Sequence, residues 1–152
     1  QQFSESYHRT VLLAPDGVFT SAPATLAMQA LGELDAKLEA AFLHSVQIAR
    51  YVDGSDTARE DNVVKVAIEI AAEHGFELSF EDLGDRLRND VELRERTLAR
   101  MKTSQARMED LGIHGVPHLI AVIDGTPTDL NGEILYHGPE RLLAALEKLV
   151  AA

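Results

Sequence analysis

The repeat of apolar residues changes once along this chain, near Gly112, and no other feature restricts its possible folds as strongly. From about residue 21 up to that glycine, apolar residues recur at steps of three and four, as on one face of an α-helix. Beyond it, residues 118–124 and 133–137 form short apolar runs with the composition of strands. An amphipathic pattern returns over residues 139–151. We therefore expect a set of helices, then a β-hairpin, then a final helix.

Capping signals divide the helical part into separate helices. Ser21 and Asp90 can cap the first and the last of them. Residues 63–68 favour a strand by propensity, but the capping-box pair of Thr57 and Glu60 favours a helix, and we expect the helix. The helices predicted from these signals cover about residues 21–32, 33–52, 57–74, 79–88 and 90–111.

The predicted hairpin poses a physical problem. Asp124-Gly125 and Asn131-Gly132 are turn dipeptides, and the polar connection between the two apolar runs contains Pro127. A two-stranded hairpin alone is marginally stable in water, so its strands need further strands beside them. Those partners would come from residues 1–20, from sequence beyond the residues given, or from another chain. A homodimer is compatible with such an unpaired edge.

Composition restricts the functions open to the chain. A formal net charge of -11 argues against binding to nucleic acid or to anionic membranes, since both select basic surfaces. No apolar run approaches the ~20 residues that cross a bilayer, no signal-peptide pattern is visible, and we expect a cytoplasmic protein. Whether residues precede Gln1 stays open. The absence of cysteine excludes a disulfide, a cysteine–zinc site and a cysteine nucleophile within these residues.

The most informative stretch joins the long last helix of the helical part to the first predicted strand. After Gly112 and a short turn, Gly115-Val116-Pro117 opens the strand, at a position where a proline costs the sheet no ladder hydrogen bond. Three further segments complete the pattern: Thr20–Ala24, Phe42–Gln47 and Tyr51–Gly54.

Together these features resemble the DsbA-like family of thioredoxin-fold oxidoreductases, in its cytoplasmic DsbA/FrnE branch, over roughly residues 10–152. The resemblance implies an α/β, thioredoxin-like fold with a helical insertion. Residues 1–20 would then be an irregular lead-in, residues 21–112 the helical insertion domain, and residues 113–152 the C-terminal β-β-α part of a thioredoxin-like domain. The strand–helix–strand that opens the family fold, with its Cys-x-x-Cys, has no counterpart in these residues.

The resemblance also implies a function, that of a thiol–disulfide oxidoreductase similar to protein disulfide isomerase. Its substrates would be protein thiols and disulfides or a small thiol, with no cofactor. Pro117 stands where the family has its cis-proline, and the backbone of Val116 would pair with an extended substrate, with His114 and Gly115 beside it. No catalytic residue is expected in the chain itself, because it has no cysteine.

Two alternative functions stay open. Kappa-class glutathione transferases and hydroxychromene-carboxylate isomerases share the helical insertion and the proline loop, bind glutathione, and use a serine near the position of the first cysteine. A redox-inactive thioredoxin-fold module that binds peptides, or pairs with itself, would need no nucleophile. A separate interpretation of Pro117 is that it shapes a strand entrance and does nothing more.

Other candidate sites have weaker support. His114, His118 and His137 could bind zinc or copper if the fold brought them together, but no ligand spacing supports this, and we expect no metal. No serine elbow or phosphate-binding loop is present. Met101 and Met108 lie at core spacing and are expected to pack in the interior. Five arginines are expected to form surface pairs with acids four residues away: Arg86, Arg88, Arg94, Arg96 and Arg100.

Overall fold

The computed structural model describes residues 3–15, 19–115, 118–130 and 132–150. It divides into two compact units, Gln1–Met101 and Lys102–Ala152, which are described separately. The first unit contains α1 (Glu5–Tyr7), a π-helix (His8–Leu12), α2 (Ala22–Gly32), α3 (Lys37–Tyr51), α4 (Glu60–Glu73), α5 (Phe80–Asn89) and most of α6 (Val91–Asp110). The second contains the end of α6, β1 (Ile120–Ile123), β2 (Thr126–Asp129), a 3-10 helix (Gly132–Tyr136) and α7 (Pro139–Val150). No helix in the described ranges is long and apolar enough to cross a bilayer.

The core of the first unit is built by four helices and the start of a fifth. Leu38 and Phe42 on α3 are 0% and 1% exposed, and burying side chains of this size contributes roughly 1.5–3 kcal/mol each. Neighbouring helices contribute many alanines and valines, which let the helices approach closely. The buried cluster consists of Ala27, Ala30, Leu31, Leu38, Phe42, Val46, Val63, Val64, Ala67, Ile70, Ala71, Leu83, Leu87 and Leu93.

Three of the predicted helix ends are confirmed by their geometry. Ser79 Oγ accepts a hydrogen bond from Asp82 N at 3.3 Å, at the start of α5. Asp90 Oδ1 accepts one from Leu93 N at 2.8 Å, at the start of α6. Gly112 follows α6 with a φ of +66°, a left-handed conformation that glycine adopts without steric cost. These local signals are therefore sufficient to place the long helix.

Two predicted helix starts are wrong. α3 begins at Lys37, later than predicted, because Asp35 Oδ1 accepts a hydrogen bond from Lys37 N at 2.8 Å and holds the preceding residues in a turn. α4 is a helix as predicted but begins at Glu60 without a capping box. Thr57 is 5% exposed and its Oγ1 accepts a hydrogen bond from Arg50 Nη1 at 3.1 Å. The hydroxyl that was expected to cap α4 therefore forms a hydrogen bond with α3 instead.

The lead-in over residues 1–20 was expected to be irregular, and its described part contains helical turns over residues 5–12. Ser4 Oγ accepts a hydrogen bond from Tyr7 N at 3.1 Å and caps a short helical segment. The rings of Phe3 and Tyr7 lie 5.3 Å and 5.2 Å from the ring of Tyr51 at the end of α3. Aromatic contacts with a distant helix stabilise this segment, and local sequence carries little sign of them.

The second strand of the hairpin was predicted over residues 133–137, and that prediction is wrong. Asp124 and Gly125 have φ values of +49° and +79°, as in a type I′ turn. Ile123 therefore lies directly opposite Thr126, and the second strand must follow the turn at once. Residues 133–137 fall largely in the 3-10 helix.

Pro127 lies within β2, opposite Val122. The pair that closes a two-residue hairpin turn exchanges hydrogen bonds, so the next pair does not. The position that lacks an N–H therefore faces away from β1, where it costs the ladder nothing. Leu130 N donates to Leu119 O at 3.0 Å, in agreement with the same alternation.

The apolar stripe predicted on α6 faces the core only in part. Leu93 and Thr97, one turn apart, are 0% and 6% exposed, whereas Val91, Leu98 and Met101 are 65%, 55% and 45% exposed. Residues separated by four positions share a helix face. Because the face with Leu93 and Thr97 lies against the core, apolar residues on the other faces of α6 point away from it. The prediction that Met101 packs in the interior is therefore wrong.

Candidate functional site

Charged side chains hold α6 against the rest of the first unit. Glu33 Oε1, in the turn after α2, accepts a hydrogen bond from Arg96 Nε at 2.8 Å, and Glu33 Oε2 pairs with Arg86 of α5. Glu39 of α3 accepts two hydrogen bonds from Arg100, at 2.7 Å and 2.6 Å. Such two-pronged contacts fix orientation as well as distance. The helix that leads to the predicted substrate loop is thus anchored up to Arg100.

These contacts correct the expectation of simple surface pairs. Arg86 with Asp90 at 3.3 Å and Arg96 with Glu92 at 3.4 Å are pairs of the predicted spacing. The shorter contacts of both arginines go instead to Glu33. A guanidinium can reach an acid on another helix, and spacing along one helix does not reveal that partner.

The same contacts shift the titration of the acids. The hydrogen bond from Arg96 lowers the pKa of Glu33 below its ordinary value of 4.5, although burial acts in the opposite direction. The hydrogen bond from Arg100 lowers the pKa of Glu39 in the same way. Both carboxylates are therefore held in their charged forms by their partners.

The predicted substrate loop begins directly after α6. Ile113 N donates a hydrogen bond to Met108 O at 2.8 Å, which closes the helix end, and Ile113 is 7% exposed. His114 and Gly115 follow as exposed residues, and a side chain added at Gly115 would meet no atom within 4 Å. The predicted roles of Val116 and Pro117 lie outside the described residues. The turn presents open backbone immediately before the hairpin.

The three histidines that were considered as metal ligands have separate surroundings. His118 is half-buried, and its Nε2 lies 2.8 Å from Asp129 Oδ1, at ion-pair distance but outside hydrogen-bonding geometry. His114 and His137 are exposed. In the ranges that the structure describes, no three side chains of His, Cys, Asp or Glu come together as a metal site would require. His118 therefore has a partner across the hairpin that the sequence did not indicate.

A groove of about 390 Å³ lies in the second unit, between the end of α6 and β1. Met108, Ile120 and Val122 give it an apolar lining, and Ser104 and Arg107 add polar groups. Met108 is half-buried there, so its packing role is local to the second unit.

A second groove, of about 460 Å³, lies in the first unit between the start of α2 and α6. The segment Thr20–Ala22, part of the pattern that suggested a family, forms one wall. Leu98 and Met101, two of the exposed apolar residues of α6, form the other, with Arg94 beside them. Leu98 and Met101, which do not face the core, therefore line a groove.

Comparison with known proteins gives a consistent result. No family model matches the chain, and no curated protein sequence matches it. A solved structure of the cytosolic disulfide reductase DsbM from Pseudomonas aeruginosa is similar, with a TM-score of 0.77 and 30% identity over 99% of this chain and 69% of that one. A structure of the same reductase with GSH has a TM-score of 0.75 and 30% identity, over 100% of this chain and 69% of that one.

Proposed function

The chain belongs to the DsbA-like family of thioredoxin-fold proteins. On that premise we propose that it acts in thiol–disulfide exchange, as an oxidoreductase that reduces disulfides. The observation that carries the proposal is the 30% identity to a disulfide reductase over 99% of the chain. That likeness includes the helical insertion, the end of α6, the hairpin and the last helix. Likeness of the fold alone would not support a shared function.

The chemistry needs a thiol that these residues do not contain. In thiol–disulfide exchange a thiolate attacks one sulfur of a disulfide, forms a mixed disulfide and releases the other sulfur as a thiolate. A second thiolate then resolves the mixed disulfide, so two thiols are oxidised to one disulfide while the substrate disulfide gains two electrons and two protons. Both attacking sulfurs must come from outside the 152 residues, on protein or on a small thiol.

We assign the substrate-positioning role to residues His114, Gly115, Val116 and Pro117. His114 and Gly115 are exposed and Gly115 stands in open space, so an extended substrate can approach the main chain there. Pairing with main-chain groups just before β1 would add the substrate as a strand. The roles of Val116 and Pro117 rest on the family resemblance.

A small thiol fits this proposal as reductant. The DsbM structure with GSH supports glutathione as a member of the substrate class. Protein thiols and disulfides are the other members, and neither a metal nor an organic cofactor is needed for exchange. The reduced state of cytosolic thiols suits such a reductase, and the neighbouring DsbM is cytosolic. We therefore propose a cytoplasmic protein.

Absence of cysteine favours one alternative, a redox-inactive module that binds a thiol or peptide without turnover. The GSH-bound neighbour leaves a second one, a glutathione transferase or isomerase of the kappa type. The three functions differ in what happens to glutathione: it is oxidised, held unchanged, or added to another molecule.

The test is reduction of insulin by the natural protein with glutathione as reductant. We expect a rate clearly above the blank, and no conjugate with 1-chloro-2,4-dinitrobenzene. Gly115→Trp should lower kcat/KM by obstructing the turn, while the exposed control Glu147→Trp leaves it unchanged. Binding of glutathione without reduction would establish the inactive module and contradict the proposal. Formation of the conjugate would establish the transferase.

A further inference from the structure

Arg50, in the last turn of α3, lies among three aromatic rings. Its Cζ is 6.0 Å from the ring centroids of Tyr7 and Phe19 and 5.9 Å from that of Tyr51. Its Nη1 donates a hydrogen bond to the buried Thr57 Oγ1 at 3.1 Å. Rings at this distance attract the cation and hold the guanidinium in place.

This cation has no acidic partner among the residues that the structure describes, although the chain has 25 acids against 14 Lys and Arg. Four other arginines of the first unit each pair with a glutamate: Arg86, Arg88, Arg96 and Arg100. A guanidinium has five N–H donors in a planar fork. The hydrogen bond to Thr57 uses one of them, which leaves donors for a ligand.

A pocket of about 340 Å³ opens beside Arg50. Met28, Phe42 and Val46 contribute apolar surface to its lining, and Gln47 and Ser21 contribute polar groups. Pockets that bind small molecules are commonly of about 300–1,000 Å³, apolar with a few polar groups that fix orientation. The pocket therefore combines an apolar lining, a fixed cation and several neutral hydrogen-bonding side chains.

We propose that this pocket binds a small carboxylate whose remainder is apolar and planar. The guanidinium fork matches the two oxygens of a carboxylate, and such charged contacts are about twice as strong as neutral ones. A planar apolar body would stack against Phe19 or Tyr51 and displace water from the lining. Binding here uses none of the residues 114–117 and is independent of disulfide reduction.

The ligand class can be tested with a matched pair of probes on the purified chain. 3-Phenylpropionate carries the carboxylate, and 3-phenylpropanamide has the same body without the charge. In an NMR titration we expect saturable shifts with the acid and affinity for the amide at least about tenfold weaker. Equal binding of acid and amide, or no saturable shift with the acid up to about 10 mM, would overturn the proposal.

Two substitutions locate the site. Arg50→Lys keeps the charge but removes the fork, and should weaken binding of the acid about tenfold, whereas Arg59→Lys, an exposed arginine outside the pocket, should leave it unchanged. Ala24 lines the pocket, so Ala24→Phe should fill part of it while the arginine is kept, and should abolish binding. Arg50 also contacts the aromatic rings, so Arg50→Lys could lower Tm. In that case the result with Ala24→Phe decides whether the pocket is the binding site. Unaltered affinity in a folded Ala24→Phe protein would contradict the assignment.

Discussion

Gly32 leaves the space in which the side chain of Glu39 lies: a Cβ at residue 32 would come within 2.8 Å of Glu39 Cδ. The same carboxylate accepts both hydrogen bonds from Arg100, at 2.7 Å and 2.6 Å. A glycine in a helix costs roughly 0.5–1 kcal/mol relative to alanine. At this position the cost is offset by a contact that ties α3 to α6.

The effect of Gly32→Ala should therefore depend on Glu39. In a Glu39→Ala background the added methyl meets no carboxylate, and we expect the gain of about 0.5–1 kcal/mol that helix propensity gives. In the natural sequence the methyl displaces Glu39 from Arg100, and the gain should be reduced or reversed. Urea unfolding of the four proteins measures the difference. An equal effect of Gly32→Ala in both backgrounds would show that the space is not used in this way.

Glu33 should make the stability of the first unit depend on pH in the acid range. Its pKa is lowered below 4.5 in the folded chain by the hydrogen bond from Arg96. Stability from this group is complete above its unfolded pKa and is lost as pH falls through the lower folded value. Glu33→Gln should therefore show a flatter fall in the urea midpoint over that range.

The matched control for this pH series is Glu69→Gln, at an exposed glutamate on α4. It should keep the slope of the natural protein. If Glu33→Gln and Glu69→Gln change the slope equally, the acid sensitivity comes from overall charge and not from the contact with Arg96.

Asp90 caps α6 through its hydrogen bond with Leu93 N. Asp90→Ala should lower the free energy of unfolding, as the loss of a helix cap does. Asp90→Asn keeps the acceptor oxygen but loses the charge that faces Arg86, so it should recover most of that loss. Thermal unfolding compares the two, and an asparagine variant as unstable as the alanine variant would assign the role to the ion pair instead.

Gly125 has a φ of +79° in the hairpin turn. Gly125→Ala forces a side chain into the left-handed region, at a cost of about 1–2 kcal/mol. Gly115→Ala is the control, because a methyl there meets no atom within 4 Å and should cost little. Loss of hairpin amide protection, measured by hydrogen exchange, should appear with Gly125→Ala. Equal protection in both variants would count against the turn assignment.

Local signals in the sequence predicted the parts of the fold that local contacts determine. The cap at Asp90 and the glycine at 112 place α6, since each acts within a few residues. The hydroxyl of Thr57 was misassigned because its partner, Arg50, lies on another helix. The second strand was misplaced because the hairpin turn at Asp124 fixes the register more strongly than the apolar run after it.

The candidate site divides in the same way. The family resemblance indicated residues 114–117, and the structure finds the first two of them exposed, while the roles of Val116 and Pro117 stay predictions. The Arg50 pocket was missed, because its rings come from segments far apart in sequence. One signal was present: Phe42, Val46 and Arg50 recur every four residues and so share a helix face.

Pro127 determines on which side the hairpin can be extended by a further strand. The outer edge of β2 lacks a donor at residue 127, so a strand added there would meet an interrupted ladder. The alternation of the hairpin points the main-chain groups of Ile120 and Val122 away from β2. Growth of the sheet is therefore directional: a strand from any source finds an uninterrupted edge at β1, and its register there is limited to pairing with those two residues.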